Sequence, residues 1–151
     1  MKINPLSVGP IKDYLKYYWL EEYLEKKVQP AFVKNHFLTA EQFFAIIEWK
    51  NAKFGKMKLS YLKEEDIRKL TEDIYVADEL SNRHDSKKRR LEILLWEEKE
   101  NGEKKNRKGI KLATASAILT ILYPDEFTVY DIRVRKQLCN CGQWKKGQRR
   151  K

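Results

Sequence analysis

The sequence predicts an all-α fold, a compact multi-helix domain. Three observations carry this reading. Gly and Pro are scarce, 6 and 4 in 151 residues. Apolar residues recur three and four apart rather than alternately, and residues that start or stop helices bound the apolar stretches. A hydrophobic content of 42%, with 4 Trp, 8 Tyr and 6 Phe, supplies enough apolar surface for one core and excludes a disordered chain.

Pro10 opens the first expected helix, which runs to about Val28 with Leu15, Tyr18, Trp19, Leu20 and Tyr23 as its apolar side; Gln29-Pro30 ends it. Thr39, with Gln42 three residues on, is a capping box for a second helix that buries Phe43, Phe44, Ile46 and Ile47. A third spans roughly Leu62 to Leu80, with Ile67, Leu70, Ile74, Ala77 and Leu80 on one stripe. Asp85 or Ser86 caps a fourth that carries Leu91, Leu94, Leu95 and Trp96, and its Lys87–Arg90 run reads as a solvated first turn. Cations there oppose the helix dipole, which hints at a compensating anion. Asn101 to Lys108, NGEKKNRK, reads as a basic loop, and no strand is expected. An Ala-rich helix then opens at Thr114 and runs to about Leu122, a Pro-marked loop follows, and Asp131 leads a short basic helix.

Charge is distributed unevenly. Met1 to Glu98 holds 18 Lys+Arg against 17 Asp+Glu, whereas Lys99 to Lys151 holds 14 against 5, so nearly all of the net +10 lies in the last third. That asymmetry points to a polyanion-facing surface; solubility and a basic tail are the plain alternative. Residues 1–138 read as the folded domain and residues 139–151, CNCGQWKKGQRRK, as a basic tail. Cys139 and Cys141 have only His36 and His84 as further soft ligands, so no metal and no cofactor is expected. No run is long enough to span a membrane and no signal-peptide core is present, so the expectation is a soluble, cytoplasmic protein.

The segment from Lys108 to Leu138, KGIKLATASAILTILYPDEFTVYDIRVRKQL, concentrates the chemistry. A glycine turn feeding a helix start offers amides and a positive dipole end to an anion, and on this chain the first anion to suspect is a nucleic-acid phosphate. Gly109 permits positive φ, and amides at Ile110 and Lys111 could take a phosphate without reading sequence. The residues KGIKLATASAIL followed by TVYDIRV resemble the signature of the helix-hairpin-helix DNA glycosylase superfamily. Gly109 and Ile110 match its hairpin Gly and hydrophobic residue, Thr114-Ala115 its Thr-Ala pair, and Asp131, after Val129, its catalytic aspartate. Lys111 replaces the second hairpin Gly, and Ala113 stands where lyase-type members carry a nucleophilic lysine.

The resemblance implies a helix-hairpin-helix at about 107–122 and sequence-independent binding of double-stranded DNA by Lys108, Gly109, Ile110, Lys111 and Thr114. It also implies monofunctional base excision, with Asp131 stabilising the cationic sugar as the base leaves. Such a protein would work on the nucleoid or in a nucleus. Trp49 and Tyr130 are candidates for a base pocket, and Lys50, Arg133 and Arg135 for further DNA contacts. Each has a plain alternative: Asp131 as N-cap of the IRVRKQL helix, Trp49 and Tyr130 as core, the lysines as solvated surface, and one of Arg133 and Arg135 paired with an acid. Two whole-protein alternatives stand beside the enzyme: a non-catalytic DNA-backbone clamp, and a helical protein-interaction domain with an idle motif.

Overall fold

Leu20, Leu24, Val28 and Phe32 recur every fourth residue, and this stripe decides how the first helical segment lies. Leu24, Val28 and Phe32 are buried, whereas Trp19 is 70% exposed and Tyr23 also faces solvent. The apolar side expected from Trp19 and Tyr23 is thus displaced by one position onto the aliphatic stripe. The computed structural model describes residues 19–51, 59, 61–77, 83–98, 102–132, 135 and 136. Pro10 and Leu15 lie outside them.

Helix α1 (Trp19–Tyr23) runs directly into a π turn (Leu24–Val28) and then into α2 (Gln29–Asn35). Pro30 was expected to end the helix but sits in the first turn of α2. The widened turn explains this: Gln29 donates its N–H to Leu24 five residues back, so the ladder is already reset where proline has no proton to give. The stop comes at His36, in the left-handed region at φ 69°, whose N–H returns to the Phe32 carbonyl at 2.7 Å. Its ring stacks on Tyr75 with centroids 3.9 Å apart.

Helix α3 (Ala40–Asn51) begins at the expected capping box. Thr39 N–H donates to Gln42 Oε1 at 3.0 Å, and Gln42 N–H to Thr39 Oγ1 at 3.3 Å. Phe43, Ile46 and Ile47 are buried and Phe44 packs against the core from its edge. Helix α4 (Glu64–Val76) starts with three acids, which suits its positive end, and Lys63 N–H donates to Asp66 Oδ2 at 3.0 Å. Ile67, Leu70, Ile74 and Ala77 form the expected buried stripe, each aliphatic contributing about 1.5–3 kcal/mol; Leu80 is outside the described residues.

Thr71 also faces inward on α4. Its hydroxyl accepts the Leu38 N–H at 3.0 Å and donates to the Ile67 carbonyl at 2.9 Å, bolting the α2–α3 joint onto α4. Thr71→Val keeps the shape and removes that acceptor from a buried amide, so it is expected to cost about 1–3 kcal/mol in urea unfolding. A change within a few tenths would remove Thr71 from this account.

Helix α5 (Arg83–Leu95) begins before Asp85, so neither Asp85 nor Ser86 is its cap. Ser86, Arg90 and Leu94, four apart, all face inward and are buried. The Lys87–Arg90 run is therefore not a solvated turn, because its last member lies on the core stripe. The Arg90 guanidinium sits 3.6 Å over the Tyr123 ring, and its Nη1 donates to Glu126 Oε2 at 2.9 Å. Lys87 Nζ approaches the same carboxylate at 4.0 Å. The anion hinted at by the misplaced cations is Glu126.

A two-stranded antiparallel ribbon corrects the strandless expectation: β1 (Trp96–Glu98) pairs with β2 (Lys104–Asn106) in the register Trp96↔Asn106, Glu97↔Lys105, Glu98↔Lys104. The register places opposite charges in facing positions across a segment with little apolar pattern. The molecule is mainly helical with this one small sheet among the described residues. Arg107 laces the ribbon to α5: its N–H donates to Leu95 at 2.8 Å, and its Nη2 to the carbonyls of Ile93 at 3.3 Å and Trp96 at 3.1 Å.

Helix α6 (Leu112–Leu122) is the most enclosed element, with Ala115, Ser116, Ala117, Ile118, Leu119 and Leu122 buried against α2, α3 and α5. It opens two residues ahead of Thr114, with Lys111 extended at φ −103° and ψ 171° before it. Among the described residues no helix is long and apolar enough to cross a membrane, and no group of three His, Cys, Asp or Glu side chains could hold a metal ion.

Candidate nucleic-acid interface

The turn between β2 and α6 is built around Gly109, whose φ of +82° is one that side-chain-bearing residues rarely adopt. Ile110, next to it, is buried in the core and anchors the turn from beneath. Lys108 and Lys111 remain exposed on either side. A strand, β2, enters this turn where the resemblance implies a helix. Thr114 N–H and Ala115 N–H both donate to the Lys111 carbonyl at 2.9 Å. The Thr114 amide is therefore engaged within the helix start, which leaves the amides ahead of it as the better donors to a ligand.

Tyr61, which lies just ahead of α4, is bonded to the turn. Its hydroxyl donates to the Lys108 carbonyl, and Lys108 Nζ stands 5.8 Å from the centre of its ring. Burial of the phenol raises its pKa above the ordinary 10; Glu97 and Asp66 push the same way and Arg107 opposes them. A raised pKa means that the neutral phenol is favoured in the folded protein. The contribution is therefore complete below pH ~10 and is lost as pH climbs beyond it. Tyr61→Phe should cost at most about 1 kcal/mol at pH 7, since Tyr61 is 45% exposed, and the wild-type advantage should shrink in urea titrations as pH rises beyond the ordinary phenol range. A gap that widened at alkaline pH would contradict this sign.

The second part of the site reaches α6 through Ser116, the polar residue on the helix's buried side. Its Oγ donates to the Ala113 carbonyl at 3.1 Å and accepts the Tyr130 N–H at 2.9 Å. Ser116 lies about 6 Å along the axis from Leu112, at 1.5 Å per residue. The Tyr130-Asp131 segment is thus tied to the half of α6 that follows the Gly109 turn. Asp131 is half-buried, and its carbonyl accepts the Arg135 N–H at 3.0 Å, which puts it at the start of a helical turn. Arg135 Nη1 donates to the Tyr130 hydroxyl at 2.8 Å, which places this candidate DNA contact beside Tyr130.

Lys108, Gly109, Ile110 and Lys111 therefore form one continuous turn, Thr114 lies in the first turn of α6, and Tyr130, next to Asp131, is bonded to that helix. Trp49 is half-buried on α3 and packs against the core, and Lys50 follows it; the bonds just described join neither to the turn. Arg133 is outside the described residues, as are Cys139, Cys141 and the basic tail. A cleft of 570 Å3 opens elsewhere, between α4 and α5, lined by Asp73, Val76, Asp85, Lys88, Arg89 and Glu92.

Sequence reasoning missed Tyr61, Ser116 and Arg107. For Ser116 a signal existed, one polar residue on the buried side of an Ala-rich helix. For Tyr61 there was none, because its partner lies 47 residues away. Comparison with protein families, curated proteins and solved structures gave no match.

Proposed function

We propose that this protein binds double-stranded DNA through the phosphate backbone, with the Lys108–Lys111 turn as the clamp and a helix-hairpin-helix glycosylase-like descent. The observation that carries the reading is the Tyr130 N–H to Ser116 Oγ bond at 2.9 Å, which ties the Asp131 segment to the helix opened by the glycine turn. Support also comes from the exposed Lys108 and Lys111 and from the basic excess of the last third. Amides and lysines recognise phosphate without regard to base, so the expected binding is independent of sequence. Asp131 is the residue assigned to base excision, where its carboxylate would stabilise a cationic sugar.

A specific observation favours a second reading, a clamp without excision. The Asp131 carbonyl already takes the Arg135 amide, the arrangement of a residue that starts a helix.

Binding of a short labelled duplex across a salt series tests the clamp. About four phosphate contacts predict a slope of log K against log salt near −3.6. Deleting residues 139–151 should leave most of that slope in place; a slope abolished by the deletion would assign DNA binding to the tail and end the proposal. Excision is tested on duplexes carrying single lesions. Strand breaks at the resulting abasic sites should exceed those of an Asp131→Asn variant, and equality across a broad lesion panel would leave only the clamp.

A further inference from the structure

Resting on the phosphate-binding reading of the Lys108–Lys111 turn, a further role follows for Tyr61, just ahead of α4. The phenol hydroxyl donates to the Lys108 carbonyl, and the Lys108 ammonium stands 5.8 Å from the centre of the same ring. One side chain therefore addresses both the backbone and the charge of the residue that opens the turn.

The consequence comes from peptide geometry. A peptide unit is planar and trans, so the Gly109 N–H points opposite to the Lys108 carbonyl. Fixing the carbonyl on Tyr61 thereby aims the amide away from Tyr61. Glycine populates both signs of φ, so the peptide ahead of Gly109 can turn over at little steric cost. Turned over, it would present the negative end of a carbonyl where the amide had been, and an approaching phosphate would be repelled there. Ile110 fixes the far side of the turn by burial, but it does not set the plane of the Lys108–Gly109 peptide.

We propose that Tyr61 is a positioning residue for phosphate binding at this turn: its hydroxyl holds the Lys108–Gly109 peptide with the amide turned away from Tyr61, and its ring keeps the Lys108 ammonium alongside. The nearby charged groups do not replace it. Arg107 is engaged with the carbonyls of Ile93 and Trp96, Asp66 takes the Lys63 N–H, and Glu97 lies 3.8 Å from Arg107 Nη1.

The test compares the full-length wild-type chain with Tyr61→Phe, which keeps the ring, after equal thermal melts confirm that both are folded. Two probes are used, a short DNA duplex and inorganic phosphate, with the Gly109 amide followed by 15N-resolved NMR. Loss of one hydrogen bond predicts about fivefold weaker duplex binding and an unchanged salt slope, since no phosphate contact is removed. The Gly109 shift induced by either probe should shrink in the variant. If phosphate moves Gly109 in the wild type and less in the variant but the duplex does not bind, the role of Tyr61 stands and the DNA reading falls. Wild-type affinity and an unaltered Gly109 shift in the variant would overturn the inference, and so would a wild-type Gly109 indifferent to both probes.

Discussion

Replacing Glu126 with alanine is expected to lower the unfolding free energy by about 3 kcal/mol, the largest loss foreseen for any single polar side chain in this protein. The reason is the contrast between the partners. The Arg90 side chain is fully enclosed at 0% exposure, whereas Glu126 keeps 20% of its own in water. Removing the carboxylate deprives a buried guanidinium of a counter-charge at 2.9 Å, and arginine does not escape by losing its proton. Arg90→Met should cost clearly less, because methionine still covers the Tyr123 ring and the remaining carboxylate can turn to solvent. Urea unfolding of the two variants decides the point. The reverse order would locate the energy in packing around Arg90 rather than in its charge.

The largest functional effect is expected from Lys108→Glu combined with Lys111→Glu. Both side chains are exposed, so the fold should be retained, and the Tyr61 bond goes to a backbone carbonyl that the substitution leaves in place. Each phosphate contact releases about 0.9 of a counterion, which at ~0.15 M salt is worth about 0.7 logarithmic units of affinity. Two lost contacts predict about 30-fold weaker duplex binding and a salt slope shallower by about 1.8. Reversed charge adds repulsion on top of that figure. Unchanged affinity and slope in anisotropy titrations would remove the turn from the DNA interface.

The parts of the fold legible in the sequence were those set by local rules. The Thr39–Gln42 capping box, the Ile67–Leu70–Ile74–Ala77 stripe and the Ala-rich helix all depend on neighbours within two turns, and all three stand. The failures have physical causes of another kind. Pro30 lies in a helix because a π turn had already shifted the hydrogen bonding ahead of it. Arg90 reads as solvated by residue type, yet its register with Ser86 and Leu94 places it inside, opposite a carboxylate 36 residues away. The ribbon sets Glu97 and Glu98 opposite Lys105 and Lys104, a complementarity that hydrophobic periodicity does not register.

The same division applies to the site. Gly109 with its positive φ and the buried Ile110 follow from turn chemistry and apolar pattern. The bonds that locate Asp131 and fix the Lys108 carbonyl come from Ser116 and Tyr61, and both depend on tertiary placement.

Arg107 has a consequence for motion. One residue takes the Leu95 carbonyl with its backbone and those of Ile93 and Trp96 with its side chain. The last turn of a helix and a short ribbon, each prone to fray alone, are thereby joined into a single cooperative unit. Their amides should exchange with solvent at a common rate set by one shared opening. The glycine bend that follows Arg107 then inherits the stiffness of that unit, even though it lies at the surface.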